Sequence, residues 1–212
     1  LNAPRIKQPP IDSQLKTIRT KLDLASDVPL HVYVGAAAPQ RGLDAMIDAL
    51  VNAPGHHVAL VVNPTSPYVI GLEEKADGLG VGDRLHIHPY VPEWYVSTFI
   101  SDATSGVIPI LKYPNHEISL VTKFFEFLHA KLPIIVSDVK TMAAEVEFRK
   151  NGLVFTAGKG EQLAERFIEI TNHREKYVSA ITPELLAEYS WEQQGDKLIA
   201  AHDALYAMKG NQ

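Results

Sequence analysis

Residues 117–138 read EISLVTKFFEFLHAKLPIIVSD, and the fold class turns on this stretch. Laid out at about 100° per residue, Leu120, Val121, Phe124, Phe125, Phe127 and Leu128 fall in one apolar sector. Thr122, Lys123, Glu126, His129 and Ala130 fall in the other. That pattern predicts a helix over residues 119–130 with one face in a core, and Ser119 is of the residue type that caps a helix N-terminus. PIIVSD follows at once, a short apolar run of the kind a buried strand shows. A core-packed helix running straight into such a strand is half of a βαβ unit.

The alternation extends in both directions. LHVYVG (30–35), HVALVVN (57–63), LHIHPYV (85–91), GVIPIL (106–111) and LVF (153–155) read as further strands. Helical spacing of apolar residues covers 14–24, with Ser13 as a cap, then 43–53, 68–80, 94–103, 142–150 and 161–172. The tail from Pro183 reads as helical, with residues 191–208 as its last element, and residues 1–14 form an irregular, proline-bearing lead-in. Nearly continuous apolar strands predict a mostly parallel sheet covered on both faces. About six strands suit an open, doubly wound, Rossmann-like α/β sheet better than a barrel, which runs to about 250 residues. No internal repeat or boundary divides residues 1–212, so one domain is expected.

Composition narrows the chemistry. The 212 residues are 46% hydrophobic and 21% charged, the balance of a chain with a sizeable core. A formal charge of -5 gives no support to a non-specific nucleic-acid binder. With no cysteine, disulfides, thiolate catalysis and cysteine-ligated metals are excluded. The absence suits a cytoplasmic setting. No apolar run approaches the roughly 18 residues of a membrane span. The start at Leu1 reads as a processed chain or as a piece of something longer.

In doubly wound sheets ligands bind beyond the carboxyl ends of the strands. Three such ends stand out, at residues 35–42, 110–119 and 137–142. GAAAPQRG (35–42) is glycine-led but lacks both the dinucleotide fingerprint and the P-loop ending. Arg41 beside a helix N-terminus is unfavourable by about 0.3–1 kcal/mol on dipole grounds. A bound phosphate would reverse that sign; a solvent-facing arginine is the alternative. Lys123 and Glu126 form an i,i+3 pair worth about 0.2–0.5 kcal/mol, and periodicity alone leaves them as the polar face of a helix. His86 and His88 share one strand face, but no spacing nearby supplies a third metal ligand. His88 ends its strand, and His116 and Glu117 lie in a loop, where binding groups concentrate. Trp94 and Trp191 sit among apolar neighbours and read as packing. No G-x-S-x-G or H-E-x-x-H is present.

The order of LNAP, IRTKLDL, VYVG…RGLDAMIDAL, DRLHIHPYVP, SLVTKFFEFLHAKLPIIVSD, NGLVF and YSWEQQGDKL resembles the C-terminal, nucleotide-sugar-binding domain of the group 1, or family 4, retaining glycosyltransferases. The resemblance covers nearly the whole chain and implies one half of a GT-B fold. It gives Gly35, Arg41, Ser119, Leu120 and Lys123 to the donor's diphosphate and Glu126 to the ribose hydroxyls. His88, Pro89, Tyr90 and Val91 line the base, and Arg41, Lys123 and Glu117 are the residues nearest the chemistry. The pattern departs at Ala36, where the family often has arginine, at Val121 and Ala130, and at Glu117, one residue out of step with the E-x7-E spacing.

The implied reaction is transfer of a sugar from a nucleotide diphosphate, with retention, for polysaccharide biosynthesis and without cofactor or metal. The acceptor, a carbohydrate or lipid-linked sugar, would be held by an N-terminal domain missing from these residues. The intact protein is expected in the cytoplasm, peripheral to a membrane in one arrangement. Residues 183–208 are expected to brace the missing domain and, left bare, to offer a route to dimers; on its own the domain should turn over little. Two rivals share the architecture: an epimerase of the UDP-N-acetylglucosamine type, and a non-catalytic carbohydrate-assembly protein.

Overall fold

Six short strands carry the chain's most apolar runs: β1 (Leu30–Val34), β2 (His57–Val61), β3 (Leu85–His88), β4 (Ser105–Ile108), β5 (Ile134–Ser137) and β6 (Gly152–Phe155). The structure, a computed structural model, describes residues 16–209. The expected lead-in over residues 1–14 and the cap at Ser13 lie outside the described residues. All the strands pair in parallel, in the order β3-β2-β1-β4-β5-β6. This is the doubly wound, Rossmann-like order, and its direction reverses between β1 and β4.

The helices are α1 (Ile18–Leu22), α2 (Asp44–Asn52), α3 (Pro67–Gly78), α4 (Val96–Phe99), α5 (Pro114–Glu117), α6 (Thr122–His129), α7 (Lys140–Arg149), α8 (Gly160–Asn172), α9 (Arg174–Val178), α10 (Pro183–Glu188) and α11 (Trp191–Lys209). They cover both faces of the sheet. Val32 and Val34 of β1 face a core shared with Phe124, Phe127 and Leu128 of α6 and Val146 of α7. Tyr33, between them, faces a second core built on Leu50 of α2, Leu72 of α3 and Phe167 of α8. The strict two-residue alternation of a strand thus divides β1 between two cores, which is why its whole run is apolar or aromatic.

Several boundaries differ from expectation. The helix expected over residues 119–130 begins at Thr122, because Val121 is extended at φ -78°, ψ 152° and makes no side-chain cap. Ser119 therefore caps nothing in α6; its hydroxyl donates to the Asn115 carbonyl oxygen at 2.7 Å. Of the helix expected over residues 14–24, the described part is Ile18–Leu22, closed by Asp23 in the left-handed region; residues 14 and 15 lie outside the described residues. Of residues 94–103, only α4 is α-helical, preceded by a 3₁₀ turn at Glu93–Tyr95. The helical tail breaks at Tyr189 and Ser190, and α10 is capped by Thr182, whose hydroxyl accepts the Leu185 N–H at 3.3 Å.

Two close approaches shape the cleft at the reversal point. A Cβ on Gly106 of β4 would run into the Phe127 ring, so the glycine lets α6 press directly on the sheet. A Cβ on Gly42 would overlap the Pro109 carbonyl oxygen, and the Leu111 N–H donates to Gln40 O at 3.0 Å. The loops after β1 and β4 are thereby stitched into one rim. Among the described residues no helix is long and apolar enough to cross a membrane.

Candidate functional site

The rim is built where β1 ends. Gly35 takes φ 109°, a conformation that L side chains rarely adopt, and turns the chain out of the sheet. Pro39–Arg41 then forms a 3₁₀ turn that sets a half-buried Arg41 over the cleft. From across the reversal point α6 sends in Lys123, only 9% exposed. Its Cε and Nζ each lie 3.5 Å from where a Cβ on Gly35 would stand. Its Nζ sits 4.6 Å from the centroid of the Tyr33 ring, within cation–π range.

Electrostatically this is a concentration of unspent positive charge. Neither the Arg41 guanidinium nor the Lys123 ammonium has a hydrogen bond or ion pair with any described residue. Burial, and then the neighbouring Arg41 charge, pull the Lys123 ammonium down to about 8, against a smaller opposing pull from Glu126. Glu126 follows on the same helix, partly buried; burial raises its carboxyl above the usual range, Lys123 opposes this, and Glu93 adds to it. Burial also raises the Tyr33 phenol well above its ordinary value, and its hydroxyl donates to Ala36 O at 2.7 Å. Two cations, a glycine turn and a partly buried carboxylate therefore stand together at the carboxyl edge of the sheet, the place and chemistry that suit a multivalent anion bearing a hydroxylated group.

The remaining residues singled out in the sequence are spread around this centre. Leu120 packs against the α6-side core. His88 ends β3; its ring tilts against Phe99 at 4.8 Å and its Nδ1 donates to Pro89 O at 2.7 Å. Pro89 and Tyr90 are exposed beyond it, and Val91 packs inward. Glu117 is engaged elsewhere: its carboxylate accepts the Lys140 N–H at 2.8 Å, and its carbonyl oxygen accepts the Thr141 hydroxyl at 2.7 Å. His116 is buried and donates from Nδ1 to Leu111 O at 2.7 Å, so it braces the loop. His86 faces His57, Nε2 to Nδ1, at 2.9 Å. Among the described residues no group of three His, Asp or Glu is arranged to hold a metal ion.

Sequence reasoning missed Tyr33 and Glu93. Tyr33 sits in a run whose every residue is buried, so nothing in its spacing separates it from packing. Glu93 lies in a 3₁₀ turn, and only the fold brings it toward Glu126.

Residues 15–182 match the family described as glycosyl transferases group 1. No curated protein matches the chain. Among solved structures, sucrose-phosphate synthase from Thermosynechococcus elongatus superposes with a TM-score of 0.76 at 20% identity, covering 90% of this chain and 49% of that one. Anabaena HepE in complex with UDP-glucose gives 0.72 at 16% identity, over 88% and 51%. The C-terminal domain of the group 1 glycosyl transferase LpcC from Francisella tularensis gives 0.56 at 12% identity, covering 81% of this chain and 93% of that domain. At these identities the likeness is one of fold. The chain spans about half the length of the first two.

Proposed function

The chain belongs to the glycosyl transferases group 1 family, and on that premise we propose that its crevice holds the diphosphate of a nucleotide sugar for transfer of the sugar, with retention, to a carbohydrate or lipid-linked acceptor. One observation carries the reading: Arg41 and Lys123, unpaired among the described residues, meet at the Gly35 turn where the strand order reverses. A buried ammonium held without a carboxylate is costly unless an anion comes to it. A diphosphate supplies that anion, and HepE, which shares the fold, is a protein solved with UDP-glucose.

The chemistry follows from the leaving group. As the glycosidic bond to the diphosphate breaks, negative charge grows on the departing phosphate oxygen, and fixed cations that face it lower the barrier. Arg41 and Lys123 take that role, each charge-assisted hydrogen bond being worth about 1.5–3 kcal/mol. Glu126 receives the ribose hydroxyls, and the β3 end from His88 to Val91 flanks the base. Gly35, Ser119 and Leu120 border the phosphates with backbone groups, while the Glu117 carboxylate, held on the first turn of α7, stays out of the reaction. The acceptor belongs to an N-terminal domain of a longer protein, which the terminal helices from Pro183 onward would brace. The setting is cytoplasmic, next to the membrane where lipid-linked acceptors are met.

Calorimetric titration with UDP, GDP, ADP and their glucose conjugates tests the reading. Saturable binding of at least one, weakened about ten- to hundredfold in Lys123→Met, is the expected result. No binding of any at millimolar concentration would overturn it.

A further inference from the structure

We propose that Tyr33 is a positioning residue of this site, its ring seating the Lys123 ammonium and its hydroxyl fixing the turn that forms the opposite rim. The proposal rests on the donor reading above. Lys123 comes from α6, on one face of the sheet, whereas Tyr33 points to the core on the other. They meet only at the end of β1, where the chain beyond Val34 is Gly35. Lys123 crosses there, with Nζ 4.6 Å from the Tyr33 centroid, and Tyr33 is fully buried beneath it.

What the ring offers is attraction without neutralisation. A carboxylate in its place would hold the ammonium equally well and would then compete with any anion for it. The negative face of an aromatic ring holds the cation and leaves its full charge for a ligand. The same side chain performs a second task, since its hydroxyl engages Ala36 O at 2.7 Å. A carbonyl oxygen at the rim of an anion site repels the ligand unless a donor occupies it. Besides Tyr33, the charged groups facing Lys123 are Arg41 from the turn after β1 and Glu126 from α6 itself; Glu93 lies near Glu126 and Tyr90 near Tyr33.

Tyr33→Phe and Tyr33→Leu separate the two tasks. The Lys123 titration is followed in the free protein by NMR with ¹³C-labelled lysine, and UDP affinity is measured in parallel. The phenylalanine variant should keep the Lys123 midpoint and lose about two- to tenfold in affinity, the share of one hydrogen bond. The leucine variant should lower the midpoint by about 0.4–1.5 pH units and lose roughly a further two- to thirtyfold. An unmoved midpoint in a folded leucine variant overturns the seating, and unchanged affinity in the phenylalanine variant overturns the hydroxyl's role, whether or not the leucine variant folds. Because the titration needs no ligand, a coupled pair in a protein that binds no nucleoside diphosphate overturns the donor reading and this role with it. Binding with an uncoupled pair overturns Tyr33 alone.

Discussion

The Glu117 carboxylate accepts the backbone N–H of Lys140 at 2.8 Å and so caps α7 from an element 23 residues away. An acidic oxygen on the first N–H groups of a helix satisfies an orphan donor and complements the helix dipole. Glu117→Ala should cost about 1 kcal/mol of unfolding free energy, within the range of lost caps. It should also speed hydrogen exchange in the first turn of α7. Reduced affinity for a nucleotide sugar with α7 protection unchanged would show instead that the carboxylate faces the donor.

Lys123 gives a second expectation, in which removal of a buried charge stabilises the fold. Its folded value of about 8 lies below its ordinary 10.5, mainly through burial. The unfolded chain therefore binds more protons between those values, and stability rises with pH across that window. Below about 8 the full cost is present. Lys123→Met should raise the unfolding free energy at pH 7 by up to about 3 kcal/mol, and the gain should shrink as pH climbs through 8 toward 10. A variant less stable than the parent at pH 7 would contradict this.

Glu126 is assigned to the ribose, and a cycle isolates that contact. Glu126→Ala should weaken UDP binding at least about tenfold, the weight of a hydrogen bond to a charged group. It should also abolish the preference for UDP over its 2′-deoxy analogue, with the unfolding midpoint unchanged. The same preference in parent and variant would return Glu126 to the polar face of an ordinary helix.

At the opposite edge of the sheet, His31 is fully buried between Ser105 (Nδ1, 2.8 Å) and His56 (Nε2, 2.9 Å), stacked on Phe167 at 3.8 Å. His57 and His86 form a parallel pair. Burial first, and then neighbouring positive groups, including Arg84 beside His56 and His57, hold all four below the ordinary 6.5; Asp83 opposes this at His57 and His86. Depressed folded values mean that stability is complete above about 6.5 and is lost as pH falls below it. Urea unfolding between pH 7.5 and 4.5 should show that loss, and His31→Phe with Ser105→Ala should make it shallower. An identical slope in the double variant would exclude His31 as a contributor.

How far the sequence was legible follows from how local each signal is. The strands were legible because a parallel sheet buried on both faces leaves unbroken apolar runs such as IIVS in β5. The face of α6 was legible because Phe124, Phe127 and Leu128 repeat at helical spacing. Its start was not, since nothing in the residues marks Val121 as extended. Glu117 looked like a loop carboxylate because its partner is distant in sequence, and the histidine pairs exist only through the registers Leu30↔His57 and Ala59↔His86. Lys123 was placed by resemblance, whereas its ring partner Tyr33 was hidden in a strand that reads as core throughout.

The most direct test of the account is proton uptake on binding UDP at pH 8, measured by calorimetry in two buffers of different ionisation enthalpy. Lys123 with a midpoint of about 8 is half protonated there. A diphosphate beside it favours the charged form, so binding should draw in up to about half a proton. That uptake is expected in the parent protein, and its loss in Lys123→Met. Binding with no uptake in the parent, or the same uptake in the variant, would contradict the assignment of Lys123 to the diphosphate.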